Sequence, residues 1–216
     1  MSLSQWVRQP VVVVLGHVDS GKTSLLDKIR GTAVQAREAG GMTQHIGASF
    51  FPTETLIHIC GPLLHKVGGS IRVPGLLVID TPGHEAFSNL RSRGGSAADI
   101  AILVVDITRG FEAQTYESVE ILSRRRVPFV VALNKIDRLT GWRATSTPYL
   151  TESLKRQDKA VIEELDARIY GVVGSLSRLG FRSEAYYRVK DFSREVAIVP
   201  VSAKTGEGIP ELIMVL

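Results

Sequence analysis

Eight consecutive residues, Gly16-His-Val-Asp-Ser-Gly-Lys-Thr23, carry the densest chemical signal in this sequence. A glycine, four residues, a second glycine, then lysine and a hydroxyl residue is the spacing of a loop that wraps a run of phosphates. Gly16 and Gly21 let the backbone turn tightly, so that the successive N–H groups of His17, Val18, Asp19, Ser20, Lys22, Thr23 and Ser24 face the anion, and the helix that starts near Lys22 adds its positive end. The Lys22 ammonium is placed to reach the β- and γ-phosphates, and the Thr23 hydroxyl to ligate the Mg²⁺ that bridges them. A second piece, Asp80-Thr-Pro-Gly-His84, offers a carboxylate for Mg²⁺ through a water and the Gly83 N–H for the γ-phosphate. That short pattern is common by itself, and its weight comes from standing at a strand end.

Two further pieces select the base. In Asn134-Lys-Ile-Asp137 the Asp137 carboxylate can accept two charge-assisted hydrogen bonds from the ring N–H and exocyclic amine of guanine, a donor pair that adenine lacks. A mismatched base leaves a buried carboxylate unpaired, which is what makes such a site selective. The Lys135 stem covers one face of the base. Ser202-Ala-Lys204 completes the pocket, with the Ala203 N–H for the guanine carbonyl and the Lys204 stem for the other face. Each piece alone also reads as a turn or helix cap. The four in order, each at a strand end, point to GTP or GDP with Mg²⁺.

The elements that must position these residues are short β-branched runs alternating with helical stretches, the pattern of a mostly parallel sheet covered on both faces. Strands are expected at 11–15, around 53–60, and at 75–80, 100–106, 129–134 and 196–202. Helices are expected at 22–30, 85–93 and 112–124. The apolar positions Leu154, Val161, Ile162, Leu165, Ile169, Val172, Val173, Leu176 and Leu179 predict one long amphipathic helix from about Thr151 to Leu179. The last residues, 211–216, read as part of a closing helix, so further domains are expected beyond them.

A length of 216 residues fits one α/β domain, and 44% hydrophobic with 22% charged residues is the composition of a packed globular chain. The formal charge of +4 allows a polyanionic partner without amounting to a dedicated nucleic-acid binder. The single cysteine, Cys60, rules out an internal disulfide and a cysteine zinc cluster. With no apolar run near the length of a bilayer span, no membrane contact and a cytoplasmic location are expected.

The ordered motifs resemble those of the translational GTPases, P-loop NTPases with a Ras-like three-layer α/β fold whose six-stranded sheet has one antiparallel strand. Gly40-Gly-Met-Thr-Gln-His-Ile-Gly-Ala48 looks like the first switch of bacterial initiation factor 2 and its archaeal and eukaryotic relative, initiation factor 5B. The helical insertion at about 140–192, with Gly141-Trp-Arg143, is similar to the 5B form. The resemblance implies that Thr43 ligates Mg²⁺ when the γ-phosphate is present. It also implies a slow GTPase, activated by the large ribosomal subunit, that promotes subunit joining. Initiator tRNA is expected to be reached only through the family's C-terminal barrel domains, outside this chain. Two alternatives remain: a nucleotide-gated ribosome-binding module, and a GTPase of another translational or ribosome-assembly step.

His84 stands where Ras-type GTPases carry the glutamine that orients the attacking water, and is read either in that catalytic role or as a structural histidine. Asp19 is read either as a ligand for K⁺ or Na⁺, as the resemblance implies, or as a loop-capping carboxylate. Arg91 and Arg93 face either ribosomal RNA or solvent. Arg124-Arg-Arg126 ends a helix, where the dipole favours positive charge, and is read as structural. His45 can order the first switch, while His17, His58, His65 and Cys60 show no ligand spacing and Trp6 and Trp142 read as anchors.

Overall fold

The computed structural model describes residues 8–35, 44–45, 47–79 and 98–216, with backbone only at 35, 44 and 45. The order is β1 (Val11–Gly16), α1 (Lys22–Gln35), β2 (Gln44–His45), β3 (Ala48–Pro52), α2 (Thr53–Val67), β4 (Gly75–Ile79), β5 (Ile100–Asp106), α3 (Ala113–Arg125), β6 (Phe129–Asn134), α4 (Leu150–Leu154), α5 (Lys159–Arg178), β7 (Ser183–Ala185), β8 (Val196–Pro200) and α6 (Ile209–Val215), with a 3₁₀ turn at Ile136–Arg138. The eight strands form one sheet in the order β2-β3-β4-β1-β5-β6-β8-β7. Only β3 runs against its neighbours. An α/β sheet with one antiparallel strand is therefore what stands, with eight strands rather than the six expected.

The apolar central strands explain the layering. Every residue of β6 is buried and β5 is exposed only at its first position. Because successive strand residues face opposite sides, both faces of the sheet must be covered. One helical group is α1, α2 and α6, with α2 packed against both of the others. In the other, α3 meets α5 where Arg178 Nη2 donates to the Tyr116 hydroxyl at 3.3 Å. Register aligns the strand ends: Gly16 lies beside Val104, and Asp106 beside Asn134. The loop after β1 and the turn after β6 thus leave the sheet at the same edge.

Two expectations are corrected. Residues 53–60 are helix, not strand, and the antiparallel strand lies just before them at 48–52. Thr53, Thr55, Ile57 and Ile59 alternate like a strand, yet the apolar side chains that bury are Leu56, Ile59, Cys60 and Leu63, a helical i, i+3, i+4, i+7 stripe, with Thr55 buried at its edge. The long helix of 151–179 is two helices. Asp158 is extended (φ −70°, ψ 153°), and the Gln157 side chain donates to Ser153 O (2.9 Å) and Arg143 O (2.8 Å), capping α4 and docking the 141–143 loop. The apolar period runs through the break because Leu154 and Leu165 pack against the same core.

The segment at 140–192 also supplies β7, which extends the sheet beside β8. Inside α6, Glu211 is fully buried, and burial pushes its carboxyl up to about 7 despite backbone donors that include Thr151 N–H. Cys60 is buried too, its thiol pushed up to about 11 by burial and donating to Leu56 O. Among the described residues no helix is long and apolar enough to cross a membrane, and no metal-ligating cluster occurs.

Candidate nucleotide site

The loop at 16–23 joins β1 to α1 and packs against the neighbouring strand end. At Gly16 (φ +146°) an added Cβ would lie 2.2 Å from Val104 O, and at Gly21 (φ +92°) 2.4 Å from Asn134 Nδ2. No other residue type fits at either place without moving backbone or a buried amide. Asp19 adopts the left-handed region (φ +64°) and gives the loop its curl. Lys22 folds across the loop, its Nζ donating to Gly16 O (3.0 Å) and His17 O (2.7 Å). The Val18 N–H turns outward and donates to Gln114 Oε1 on α3 at 2.9 Å. His17 Nε2 lies 3.5 Å from Glu112 Oε1, while His17 Nδ1 and Ser20 Oγ are buried with no hydrogen-bond partner. Thr23 and Ser24 are exposed on the first turn of α1.

Asn134 ties the loop to the 134–137 and 202–204 segments. Its side chain is 1% exposed; Nδ2 donates to Ser20 O (2.9 Å), and Oδ1 accepts from Lys135 N–H (2.8 Å) and Ala203 N–H (3.0 Å). The Ala203 N–H, expected to face a base carbonyl, is thus engaged by this amide. Asp137, on the 3₁₀ turn, accepts from Ser202 Oγ at 2.6 Å, and Ser202 Oγ accepts in turn from Thr205 N–H. Lys204 is exposed.

Lys135, also left-handed (φ +72°), is held at both ends. Its Nζ donates to Asp19 O (2.5 Å) and Asp106 Oδ2 (2.6 Å), so the stem is drawn taut between the loop and the sheet. Asp106 is 3% exposed, and burial works against its charge. Hydrogen bonds from Lys135 and from the Thr108 hydroxyl and N–H outweigh burial and hold its carboxyl below the usual range. Glu207, fully buried, accepts from the Trp142 indole (3.3 Å), the Thr145 N–H (3.2 Å) and the Thr205 hydroxyl (2.7 Å), tying the 142–147 loop to the 202–207 turn.

Sequence reading had not singled out Asp106 or Glu207, nor the tying role of Asn134. A charge closing the apolar run 100–105 was a usable signal for Asp106. Nothing in the sequence marked Glu207, whose partners Trp142 and Thr145 lie 65 and 62 residues away in the chain. Thr43, Asp80, Gly83, His84, Arg91, Arg93 and Trp6, the helix expected at 85–93, and the side chain of His45 lie outside the described residues.

A strand, a glycine-hinged loop and a helix in line, beside two turns cross-linked to that loop, define a P-loop nucleotide-binding domain of the α/β class. The chain belongs to the Elongation factor Tu GTP binding domain family, which it matches over residues 8–216. It is 59% identical over 99% of its length to a probable translation initiation factor IF-2 from Thermofilum pendens. The crystal structure of GDP-bound aIF5B from Aeropyrum pernix superposes with a TM-score of 0.92 at 59% identity over 97% of the chain. The elongation factor SelB from Methanococcus maripaludis, at 21% identity and a TM-score of 0.53, shares the fold. The chain spans about a third of the length of the two initiation-factor relatives, 35% of each.

Proposed function

We propose that this chain is the guanine-nucleotide switch of a cytoplasmic translation initiation factor, hydrolysing GTP slowly alone and faster on the large ribosomal subunit, in a cycle that promotes subunit joining. The observation that carries the nucleotide part is the Asn134 tie, which brings the phosphate loop, Asp137 and Ala203 together as one unit. The GDP in the Aeropyrum relative supports the same reading.

In this reading the N–H groups of the 16–24 loop other than that of Val18, which Gln114 holds outward, take up the phosphates, and Lys22 exchanges its two carbonyl partners for phosphate oxygens. Asp137, oriented by Ser202, accepts from the guanine N–H and amine, with the Lys135 and Lys204 stems on the two faces. The Ala203 N–H turns from Asn134 Oδ1 toward the guanine carbonyl. Thr23, exposed on the first turn of α1, is the member of the Mg²⁺ set (Thr23, Thr43, Asp80) that lies among the described residues, and hydroxyl and carboxylate oxygens are the donors a hard cation takes. Mg²⁺ supplies charge neutralisation on the β- and γ-phosphates. His84 orients the attacking water, and Asp19 holds K⁺ or Na⁺ beside the phosphates.

The test is a titration with labelled GDP, competed by GTP and by ATP, on the native chain and on Asp137→Asn. Competition by GTP alone, with a change of preference toward xanthine nucleotides in the variant, is the expected outcome; equal competition by ATP refutes the guanine site. Turnover with ribosomes then addresses the rest. A His84→Ala protein that binds nucleotide and is stimulated as fully as the native chain removes the catalytic role of His84.

A further inference from the structure

The sheet has a second end. Strands β6, β7 and β8 are parallel, so their starts lie together, away from the nucleotide motifs at their finishes. Helices α3 and α5 both finish at this end. Phe129, opening β6, and Phe181, just after α5, meet edge to face with centroids 5.2 Å apart. Between the two helix ends lies a shallow cleft of about 160 Å³ lined by Val119, Glu120, Ser123, Arg124, Leu179 and Phe181. Around it the fold gathers five arginines: Arg124 and Arg125 in the last turn of α3, Arg126 at its cap, Arg178 in the last turn of α5, and Arg182 just before β7.

The carboxylate lining the cleft, Glu120, is already paired with Arg124 at 3.5 Å. Arg178 bonds only to the neutral hydroxyls of Ser175 and Tyr116. Arg125, Arg126 and Arg182 make no ion pair among the described residues. Arg124 is thus the one of the five with a carboxylate partner among the described residues, which leaves the charge of four arginines outside any ion pair there. Helix dipoles do not absorb it. Each helix end carries about half a negative charge, so two ends offset roughly one of the four arginines left after the Glu120 pair.

Backbone strain marks the same place. Three non-glycine residues among those described have positive φ: Asp19 and Lys135 in the nucleotide site, and Arg126 (φ +54°). That cap position is one where glycine is strongly favoured. Strain of this kind gathers at functional sites, and here a cation stands where a glycine would be easier.

We propose that this arginine end is a docking surface for the phosphate backbone of structured RNA, separate from the nucleotide site and able to act whatever nucleotide is bound. Arginine's planar fork matches phosphate oxygens. None of the exposed large hydrophobic side chains lies in either helix end or in the residues joining it to the sheet, so neither lipid insertion nor the apolar centre of a protein interface is provided for. An exposed row of unmatched cations suits a solvated, repeating polyanion. The proposal does not depend on GTP turnover and stands or falls apart from it.

The experiment is fluorescence anisotropy of a labelled RNA duplex with the GDP-loaded chain across a KCl series. Two triple variants of equal charge change are compared: Arg125→Glu/Arg126→Glu/Arg182→Glu, and Lys155→Glu/Lys159→Glu/Arg168→Glu on the surface of the 140–192 segment. The first is expected to lose at least about tenfold in affinity at 0.1 M KCl, with a log–log salt slope shallower by roughly two to three. The second should stay within about threefold of native, and GDP affinity in both should be unchanged, as a check on folding. Equal losses in both triples mean that net charge alone acts, and no loss in either means that the surface is idle; each overturns the proposal. So does tighter, arginine-dependent binding to phosphatidylserine vesicles than to RNA at equal phosphate. If the first triple does not fold, Arg126→Gly/Arg182→Ala takes its place, with an expected slope change of roughly one to two.

Discussion

The two ends of the sheet treat charge in opposite ways. At the finishing end, Asp106 and Glu207 are 3% and 0% exposed, and both carboxylates are bonded to donors drawn from other segments. At the starting end, Arg124, Arg126, Arg178 and Arg182 are exposed, and Glu120 pairs with one of them. Burial is the reason for the difference. A desolvated charge is tolerable only when fully bonded, so each bond at the finishing end also fixes a position. A solvated charge is held by nothing and fixes nothing, but its field extends about a Debye length. One end is built for geometry and the other for attraction.

Asn134→Ala attacks the geometric end hardest, since it strips partners from Ser20 O and two N–H groups at once. We expect GDP affinity to fall by about 3 kcal/mol, roughly a hundredfold, in isothermal titration. A loss under threefold would mean that the phosphate loop and the base turns hold together without the amide.

Asp106→Ala should come next, at about 2 kcal/mol, by leaving the Lys135 ammonium with only a carbonyl partner. Stopped-flow release of labelled GDP reads it, and the loss should vanish in a Lys135→Met background if Asp106 acts through that side chain. The pH dependence follows from its lowered carboxyl. Stability from the Asp106–Lys135 pair is present above the unfolded carboxyl range and is lost only as pH falls through the lower folded value.

Glu211 gives the opposite sign away from both ends. Its carboxyl is raised from 4.5 to about 7, so the folded chain holds a proton that the unfolded chain has released, and stability falls as pH rises from about 4.5 to 7. Glu211→Gln should flatten that slope and gain about 1 to 2 kcal/mol at pH 8 in urea melts. An unchanged slope would mean that Glu211 stays ionised in the fold.

The smallest effect sharpens the contrast most. Arg126→Gly should raise the melting temperature by roughly 2–4 °C, because glycine accepts the left-handed cap, while RNA affinity falls. Loss of both stability and RNA binding would reduce Arg126 to an ordinary structural residue.

The loop at 16–23, the Asp137 turn and the Ser202–Lys204 turn were legible as loop and turns because each is a short contiguous pattern set by residue type and local spacing. The central strands were legible for a related reason: strands buried on both faces become continuous apolar runs. Residues 53–60 misled because alternation and helical periodicity coexist there, and the choice fell to which side chains the core could accept. The break before Asp158 was hidden because it lies in a polar stretch that an apolar count skips, and it is made by a Gln157 side chain bonding to Arg143, fourteen residues away.

Sequence by itself determined which groups this protein has to work with: a glycine-hinged loop, a carboxylate at Asp137, apolar strands to hold them, and a surplus of arginine. Tertiary structure alone decided which of those groups share a neighbourhood. Asp106 reaches Lys135, Glu207 reaches Trp142 and Thr145, and Arg124 comes to line one cleft with Phe181 only once the chain has folded. The physical reason is that hydrogen bonds and fields act over ångströms in space, while sequence records distance along the chain.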